Sequence, residues 1–392
     1  MEREPPNDGA VVTIDTNDES KSNEIDVRVA VIGNVDSGKS TLVGVLTRCI
    51  YDDGRGSARS LVFNFSHEHS NGRTSSISHE IMGFNPDGSQ VTPDRVTESK
   101  KNTWESVVPR SNHIVTFLDL CGHEKYLKTT IFGLVGLIPD YAMIVIGANM
   151  GITRMSKEHI GLSLALKIPM FFVFTKIDIA PENVYKENFN LLKRILSSSA
   201  ANRVPLPVEN NSDIQKLVSM MESKGCPIFS VSNVTGEGLD QLRLFISCLK
   251  TRSLNSGVFG TPNQPAEVLI DSVFMVTGVG VVVSGVLKAG VVKIGDVLQL
   301  GPDSNDNYKP VSVKGIQILR VNQDRAIAGQ SASFAIRAQN KKEQLKRDAI
   351  KRNGPHRKSI CAETSWEFDA EVVILHHATT IKKNTSRLFI RG

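Results

Sequence analysis

The sequence predicts a doubly wound α/β domain with a mostly parallel sheet, followed by a small β-barrel domain and an incomplete third β domain. Three observations carry this. Apolar runs of strand length alternate with helix-length runs from Val27 to Leu249. A glycine-rich turn joins the first strand to the first helix. After Leu249 the helical period gives way to short Val- and Ile-rich runs with glycine between them, the pattern of a small barrel.

The elements follow in order. Residues 1–25 are acidic and polar with few large apolar groups, and are expected to be a flexible tail. Strands are expected at Val27 to Ile32, His113 to Leu120, Tyr141 to Gly147, Pro169 to Thr175 and Pro227 to Val231. Helices are expected at Lys39 to Cys49, His123 to Val135, Lys157 to Leu166, Val184 to Leu196 and Leu239 to Leu249. The strands are nearly continuous in apolar residues, as strands covered on both faces must be. Between Tyr51 and Asn112 the alternation stops, and loops this long are usually functional or mobile. An edge strand is expected around Ser75 to Phe84, with a hairpin turn at Asn85-Pro86-Asp87-Gly88.

Asn255 to Pro265 is a linker by composition. Barrel strands are expected at Val273 to Val276, Gly280 to Ser284, Asp296 to Leu300 and Val311 to Leu319. Beyond a basic run, Lys341 to Lys358, the alternation of Trp366, Phe368, Ala370 and Val372 suggests one strand of a further domain. The domain boundaries are therefore 1–25, 26–255, 262–340 and 345–392.

Composition narrows the classes. The chain of 392 residues is 40% apolar and 22% charged with a net charge of +5, which excludes wholesale disorder and permits an RNA-rich partner without arguing for one. Its five scattered cysteines form no C-x-x-C pair, so a reducing, cytoplasmic setting is expected. The most apolar stretch, Ile131 to Gly147, is short and broken by Pro139 and Asp140, so no membrane span is expected. His376 and His377 are expected to be packing residues rather than a metal pair.

The chemistry lies in the loops that follow the strands. Gly33-Asn34-Val35-Asp36-Ser37-Gly38-Lys39-Ser40 fits G-x-x-x-x-G-K-[ST] between a strand and a helix, and Thr41 completes the run. Glycines let successive N–H groups turn inward around phosphate oxygens, and the helix N-terminus adds a positive dipole end. Lys39 is expected on the β- and γ-phosphates and the Ser40 hydroxyl on Mg²⁺. Asp119 ends a strand in Asp119-Leu120-Cys121-Gly122-His123, where it can hold the metal through water while the Gly122 N–H meets the γ-phosphate. Thr175-Lys176-Ile177-Asp178 ends another strand. Asp178 can accept from N1–H and the exocyclic amine of guanine, donors that adenine lacks. The Lys176 stem can lie along the base, and Ser232-Asn233-Val234 can meet its O6 edge.

Together "GNVDSGKST", "GRTSS", "TFLDLCGHEKYLKTT", "GANMGITRMSKEH", "FVFTKID", "PIFSVSNVTGEGLD", "GVGVVVSGVLKAGVVKIGD" and "SWEFDAEVVILHHATTI" make the chain resemble the translational GTPases of the elongation factor Tu type, and most of all the GTP-binding protein 1 and 2 family. The resemblance runs from about residue 27 to 381. It implies a P-loop GTPase fold, GTP and GDP as bound nucleotides, Mg²⁺ as cofactor, and a monovalent cation near Asp36. It implies that Thr74 closes on Mg²⁺ and the γ-phosphate as the first switch residue, with Ser76 as the rival. It further implies that His123 orients the attacking water and that Val35 shields that water. Thr175 stands where many GTPases have Asn, which alters one polar tie between base loop and P-loop.

The function expected is a translation-factor-like GTPase switch, with the ribosome and tRNA as partners by resemblance. No membrane or sequence-specific DNA partner is expected, and the chain is expected to be monomeric. Two other readings remain: a GTP-dependent binding module with negligible hydrolysis that recruits RNA-decay factors, and an inactive truncated form motivated by the short third domain.

Overall fold

The computed structural model describes residues 26–338, apart from 96–99, 210–212, 253–258 and 302–307. The acidic tail, the basic run, the third β domain and His376-His377 lie outside the described residues.

The first unit is built on an eight-stranded sheet. Its strands are β1 (Val27–Gly33), β2 (Ser78–Phe84), β3 (Gln90–Val91), β4 (His113–Asp119), β5 (Tyr141–Gly147), β6 (Met170–Thr175), β7 (Val204–Pro207) and β8 (Gly225–Ser230). They lie in the order β3-β2-β4-β1-β5-β6-β8-β7. The strands from β4 to β7 are parallel, while β2 and β3 run antiparallel at one end. All seven residues of β1 and of β5 are buried.

The two-residue period of a strand divides these side chains between two cores. Val27, Val29, Val31, Met143, Val145, Phe171 and Val173 face one of them. They meet α1 (Lys39–Arg48), α8 (Ile214–Ser223) and α9 (Leu239–Ser247). Ala30, Ile32, Ile144, Ile146, Phe172 and Phe174 face the other. There they meet α5 (Leu127–Gly136), α6 (Arg154–Ala165) and α7 (Glu182–Leu196). The loops after β1, β4, β6 and β8 therefore gather at the carboxyl edge, with β1 at the point where the strand order reverses.

The structure corrects several expectations. The strand expected around Ser75 to Phe84 is not at the edge, because the two-residue β3 lies outside it across the Asn85–Gly88 turn. The helix expected from His123 starts later: Glu124–Tyr126 is a 3₁₀ turn and the α-helix begins at Leu127. The long segment after α1 contains α2 (Ser57–Ser60), α3 (Ser66–Asn71) and α4 (Lys100–Val107). Their helical face is too short for periodicity to reveal in α2 and α3. Arg48 on α1 is buried, lies 3.7 Å from Glu80 of β2, and donates to Thr103 of α4. A charge pair in the core thus ties the first helix to this segment.

The second unit is an antiparallel half-barrel. Its strands are β9 (Glu267–Val276), β10 (Gly280–Ala289), β11 (Val291–Lys293), β12 (Val297–Leu300), β13 (Lys309–Ile318), β14 (Val321–Gln323), β15 (Arg325–Ile327) and β16 (Ser331–Ala338). The main sheet runs β12-β13-β16-β10-β9, with β14 on β13, while β11 and β15 pair separately. Inward residues such as Val283, Leu287, Val313 and Phe334 form a core of their own. Arg28, the second residue of β1, joins the two units. Its side chain is buried, donates to the Gly329 carbonyl at 3.1 Å, and lies 5.8 Å from the centre of the Phe259 ring.

Candidate nucleotide-binding site

The loop after β1 has almost no room for side chains. A Cβ on Gly33 would lie 2.2 Å from the Val145 carbonyl oxygen. Gly38 takes a left-handed φ of 85° as it caps α1, and Asp36 adopts φ 59°. The result is a backbone cradle opening at the N-terminus of a ten-residue helix. Lys39 folds back across the cradle and donates to the Asn34 carbonyl at 2.8 Å. It is buried, and burial holds its ammonium pKa below the usual lysine range, opposed by the nearby Asp119 charge. A bound polyphosphate would add further negative charge beside this buried lysine.

Three oxygens meet next to it. The Ser40 hydroxyl donates to Asp119 Oδ2 at 2.6 Å and lies 2.7 Å from Thr74 Oγ1. With its single proton given to Asp119, Ser40 accepts from Thr74. Thr74 Oγ1 is also 3.5 Å from the same carboxylate oxygen. Ser76, the rival to Thr74, is held elsewhere: its N–H and hydroxyl both reach Glu68 Oε1 at 3.2 Å. Gly122 passes so close that a Cβ would lie 2.5 Å from Lys39 Nζ and 2.6 Å from the Gly33 carbonyl oxygen. Among the described residues no group of three or more His, Cys, Asp or Glu side chains is placed to hold a metal ion. The hydroxyl-rich set Ser40, Thr74 and Asp119 fits a hard cation that keeps water and phosphate ligands, as Mg²⁺ does.

Lys39, Ser40, Thr74 and Gly122 line a cavity of about 400 Å³, with Asp119 buried behind them. Val35, Asp36, Thr41 and His123 also line it. His123 is exposed, and its Nδ1 accepts from the Lys125 N–H at 3.1 Å, which leaves the neutral ring's proton on Nε2. His159 sits buried in α6, and burial, with Lys39 nearby, pushes its pKa down to about 4, so it stays neutral.

The base-side loops meet the same cradle. Thr175 donates to the Ser37 carbonyl at 2.6 Å, so the tie expected to be altered is made by a hydroxyl instead of an amide. Lys176 follows with a left-handed φ of 62°, and Asp178 is exposed at the loop tip. The Ser232 hydroxyl accepts from the N–H groups of Val234 and Thr235, fixing the turn after β8. Val234 itself is exposed. Asn233 is buried beside Gly38, and among the described residues its Oδ1 has no partner. An orphaned acceptor at a base-recognition loop is a group that a ligand would satisfy. The chain after α1 closes this wall: Asp52 N–H donates to the Asn233 carbonyl at 2.8 Å, and a Cβ on Gly236 would meet the Tyr51 ring at 2.7 Å.

Sequence reasoning missed Glu68. This buried carboxylate of α3 accepts from the N–H and hydroxyl groups of Ser75 and Ser76 and from the N–H groups of Asn64 and Phe65. Burial would raise its pKa, but these donors hold it below the usual glutamate range. It shapes the backbone that presents Thr74. A lone Glu in a Ser- and His-rich segment carries no signal of that task.

Comparison with known proteins follows the geometry. The family model for the elongation factor Tu GTP binding domain matches residues 24–254, and that for elongation factor Tu domain 2 matches residues 280–347. GTP-binding protein 1 of Xenopus laevis is 44% identical over 363 residues, covering 91% of this chain and 53% of the relative. GTP-binding protein 2 of Homo sapiens is 38% identical over 361 residues, covering 92% of this chain and 58% of the relative. The chain therefore spans little more than half the length of these curated relatives. The fold is similar to that of the bacterial selenocysteine-specific elongation factor EF-Sec, with a TM-score of 0.56 and 23% identity over 82% of this chain and 44% of that one. Among the described residues no helix is long and apolar enough to cross a membrane. With the first family model alone matching more than half of its length, the chain belongs to the elongation factor Tu family of translation-factor-like GTPases.

Proposed function

We propose that the chain is a GTP switch that hydrolyses GTP to GDP and phosphate with Mg²⁺, acting in translation or its surveillance on the ribosome. The observation that carries this reading is the pair of Ser40 and Thr74 hydroxyls that line the cavity beside Lys39, with the buried Asp119 carboxylate hydrogen-bonded behind them. Ser40 and Thr74 hold the metal directly and Asp119 through water, and the metal, when bound, neutralises phosphate charge. The N–H groups from Asn34 to Thr41 and the Lys39 ammonium hold the phosphates, and the Gly122 N–H meets the terminal one. His123 orients water, Val35 shields it, and the exposed Asp36 contributes to a monovalent cation site. Catalysis is then placement and electrostatics.

Asp178 selects guanine through two accepted hydrogen bonds, Lys176 covers the base, and Ser232, Asn233 and Val234 meet its edge. Thr175 links this wall to the phosphate cradle through Ser37. Hydrolysis releases the segments around Thr74 and His123, and the half-barrel responds. The family, with its translation factors, supports ribosome and tRNA as partners, and the scattered cysteines support a cytoplasmic setting.

GTP hydrolysis measured with and without ribosomes tests the reading. Slow intrinsic turnover accelerated by ribosomes is the expected result. Tight GTP binding with no turnover under either condition would favour the binding module that recruits RNA-decay factors.

A further inference from the structure

The phosphate cavity contains a cation that no motif assigns. Arg59 lies on α2, whose backbone is fixed twice. Asp52 accepts from the N–H groups of Gly54, Gly56 and Ala58. Ala58 packs so tightly on α1 that a Cβ on Gly44 would lie 2.3 Å from its carbonyl oxygen. From this base the half-buried Arg59 side chain passes between two glycines in left-handed conformations. A Cβ on Gly56 would lie 2.3 Å from Arg59 Nε, and one on Gly72 would lie 3.2 Å from Nη2. Gly72 stands two residues before Thr74, so the guanidinium is caged by the segment that presents Thr74 to Ser40.

The cage leaves the charge available. The Arg59 side chain makes one hydrogen bond, a long one of 3.5 Å from Nη2 to the Arg55 carbonyl, and among the described residues no carboxylate pairs with it. It lines the same cavity as Lys39, Thr74 and His123. Asp36 is the one carboxylate among the cavity's lining residues, against the cations Lys39, Arg59, Arg73 and Lys125. Arg73 and Lys125 are exposed, Lys125 lying over the Tyr126 ring, whereas Arg59 is half-buried and held. A planar fork of N–H donors, preorganised and without a counter-charge, is suited to phosphate oxygens.

We propose that Arg59 is a built-in arginine for the terminal phosphate: it contacts γ-phosphate oxygens of bound GTP and stabilises the charge that develops on them. It rests on the GTPase reading above. In the step it serves, a water oxygen bonds to the γ-phosphorus as the bond to the β–γ bridging oxygen breaks. The bridging oxygen leaves on GDP, and the water's protons end on the product phosphate and solvent. An arginine supplied within the chain accelerates such transfers by about 10³-fold or more.

The test uses the full chain, as wild type, Arg59→Ala and Arg59→Lys. Three quantities are read: affinity for GDP and for a non-hydrolysable GTP analogue, single-turnover hydrolysis at saturating GTP, and capture of GDP with aluminium fluoride and Mg²⁺. Arg59→Ala is expected to bind GDP within about threefold of wild type, to lose about 100-fold or more in single-turnover rate, and to lose the aluminium fluoride complex. Arg59→Lys, which keeps the charge without the fork, falls between. A single-turnover rate within threefold of wild type overturns the proposal. So does a parallel fall in GDP affinity and melting temperature, which would make Arg59 only a clamp between Gly56 and Gly72. Should wild type bind GTP without hydrolysing it, the GTPase reading fails by itself and affinity decides. Selective loss of the GTP analogue in Arg59→Ala then supports the contact, and equal affinities refute it. Should wild type bind no guanine nucleotide, both readings fall together.

Discussion

Gly122 shows how tightly the site is specified at the scale of single residues. A methyl group there would collide with Lys39 Nζ and with the P-loop backbone, and neither the cradle nor the strand end can withdraw cheaply. Gly122→Ala is therefore expected to weaken GTP binding by about tenfold or more while GDP is affected less, measured by nucleotide titration. Asp178 gives a second prediction. Asp178→Asn weakens GTP and favours xanthosine triphosphate, because xanthine carries a carbonyl where guanine carries an amine. Unchanged GTP affinity would remove Asp178 from the base site.

Asp26 gives a third, in stability. Burial pushes its carboxyl up to about 7, against the Thr116 hydroxyl bond and the Arg28 charge, which lower it, while Asp140 raises it. The fold thus prefers the protonated form. The contribution is complete below the ordinary carboxylate pKa near 4 and is lost as pH rises through about 7. Asp26→Asn keeps an acceptor for Thr116 without the charge. Its stability gain over wild type in denaturant melts is expected to be larger at pH 8 than at pH 5, bounded at roughly 4 kcal/mol. A gain that shrinks on going from pH 5 to pH 8 would contradict the assignment.

At the scale of elements, Glu68 gathers donors from both sides of the Thr74 segment. Glu68→Ala leaves the part-buried N–H groups of Ser75 and Ser76 without their acceptor, at about 1 kcal/mol for each such group. Faster hydrogen exchange across residues 64–78, with protection in β5 and β6 unchanged, is the expected result. Unaltered exchange there would show that Glu68 does not organise the segment.

Strands β1, β4, β5, β6 and β8 were legible because burial on both faces writes a nearly continuous apolar run into the chain. The P-loop was legible because its backbone geometry restricts it to glycine at fixed spacing. The edge strand β7 was not, since it holds Pro205 and Pro207, which an edge tolerates and a sequence pattern rejects. Helix α8 carries an apolar stripe of Ile214, Leu217 and Met221, a signal that was present but lay behind those prolines. Arg59 and Glu68 were invisible because their placement depends on contacts between distant turns, and nothing local marks them.

At the scale of the whole molecule, Arg28 is a buried link between sheet and half-barrel, beside the contact of Arg320 with the Trp104 ring. It interrupts an otherwise apolar strand and reaches the Gly329 carbonyl across the unit boundary. The sequence places Arg28 within a nearly continuous apolar strand, and nothing local marks that position as serving a second unit. Arg28→Met should keep the strand's packing and lose the link. Calorimetry is then expected to resolve two unfolding transitions in place of one, and an unchanged single transition would place the coupling elsewhere.

The central claim is that the loops after β1, β4, β6 and β8 together enclose a guanine nucleotide with Mg²⁺. Its most direct test is competition binding on the folded full chain, using a fluorescent GDP in the presence of Mg²⁺. The account predicts displacement by GTP and GDP, and little or none by ATP at the same concentration. Displacement by ATP as effective as by GTP, or no binding of the probe by folded protein, would contradict it.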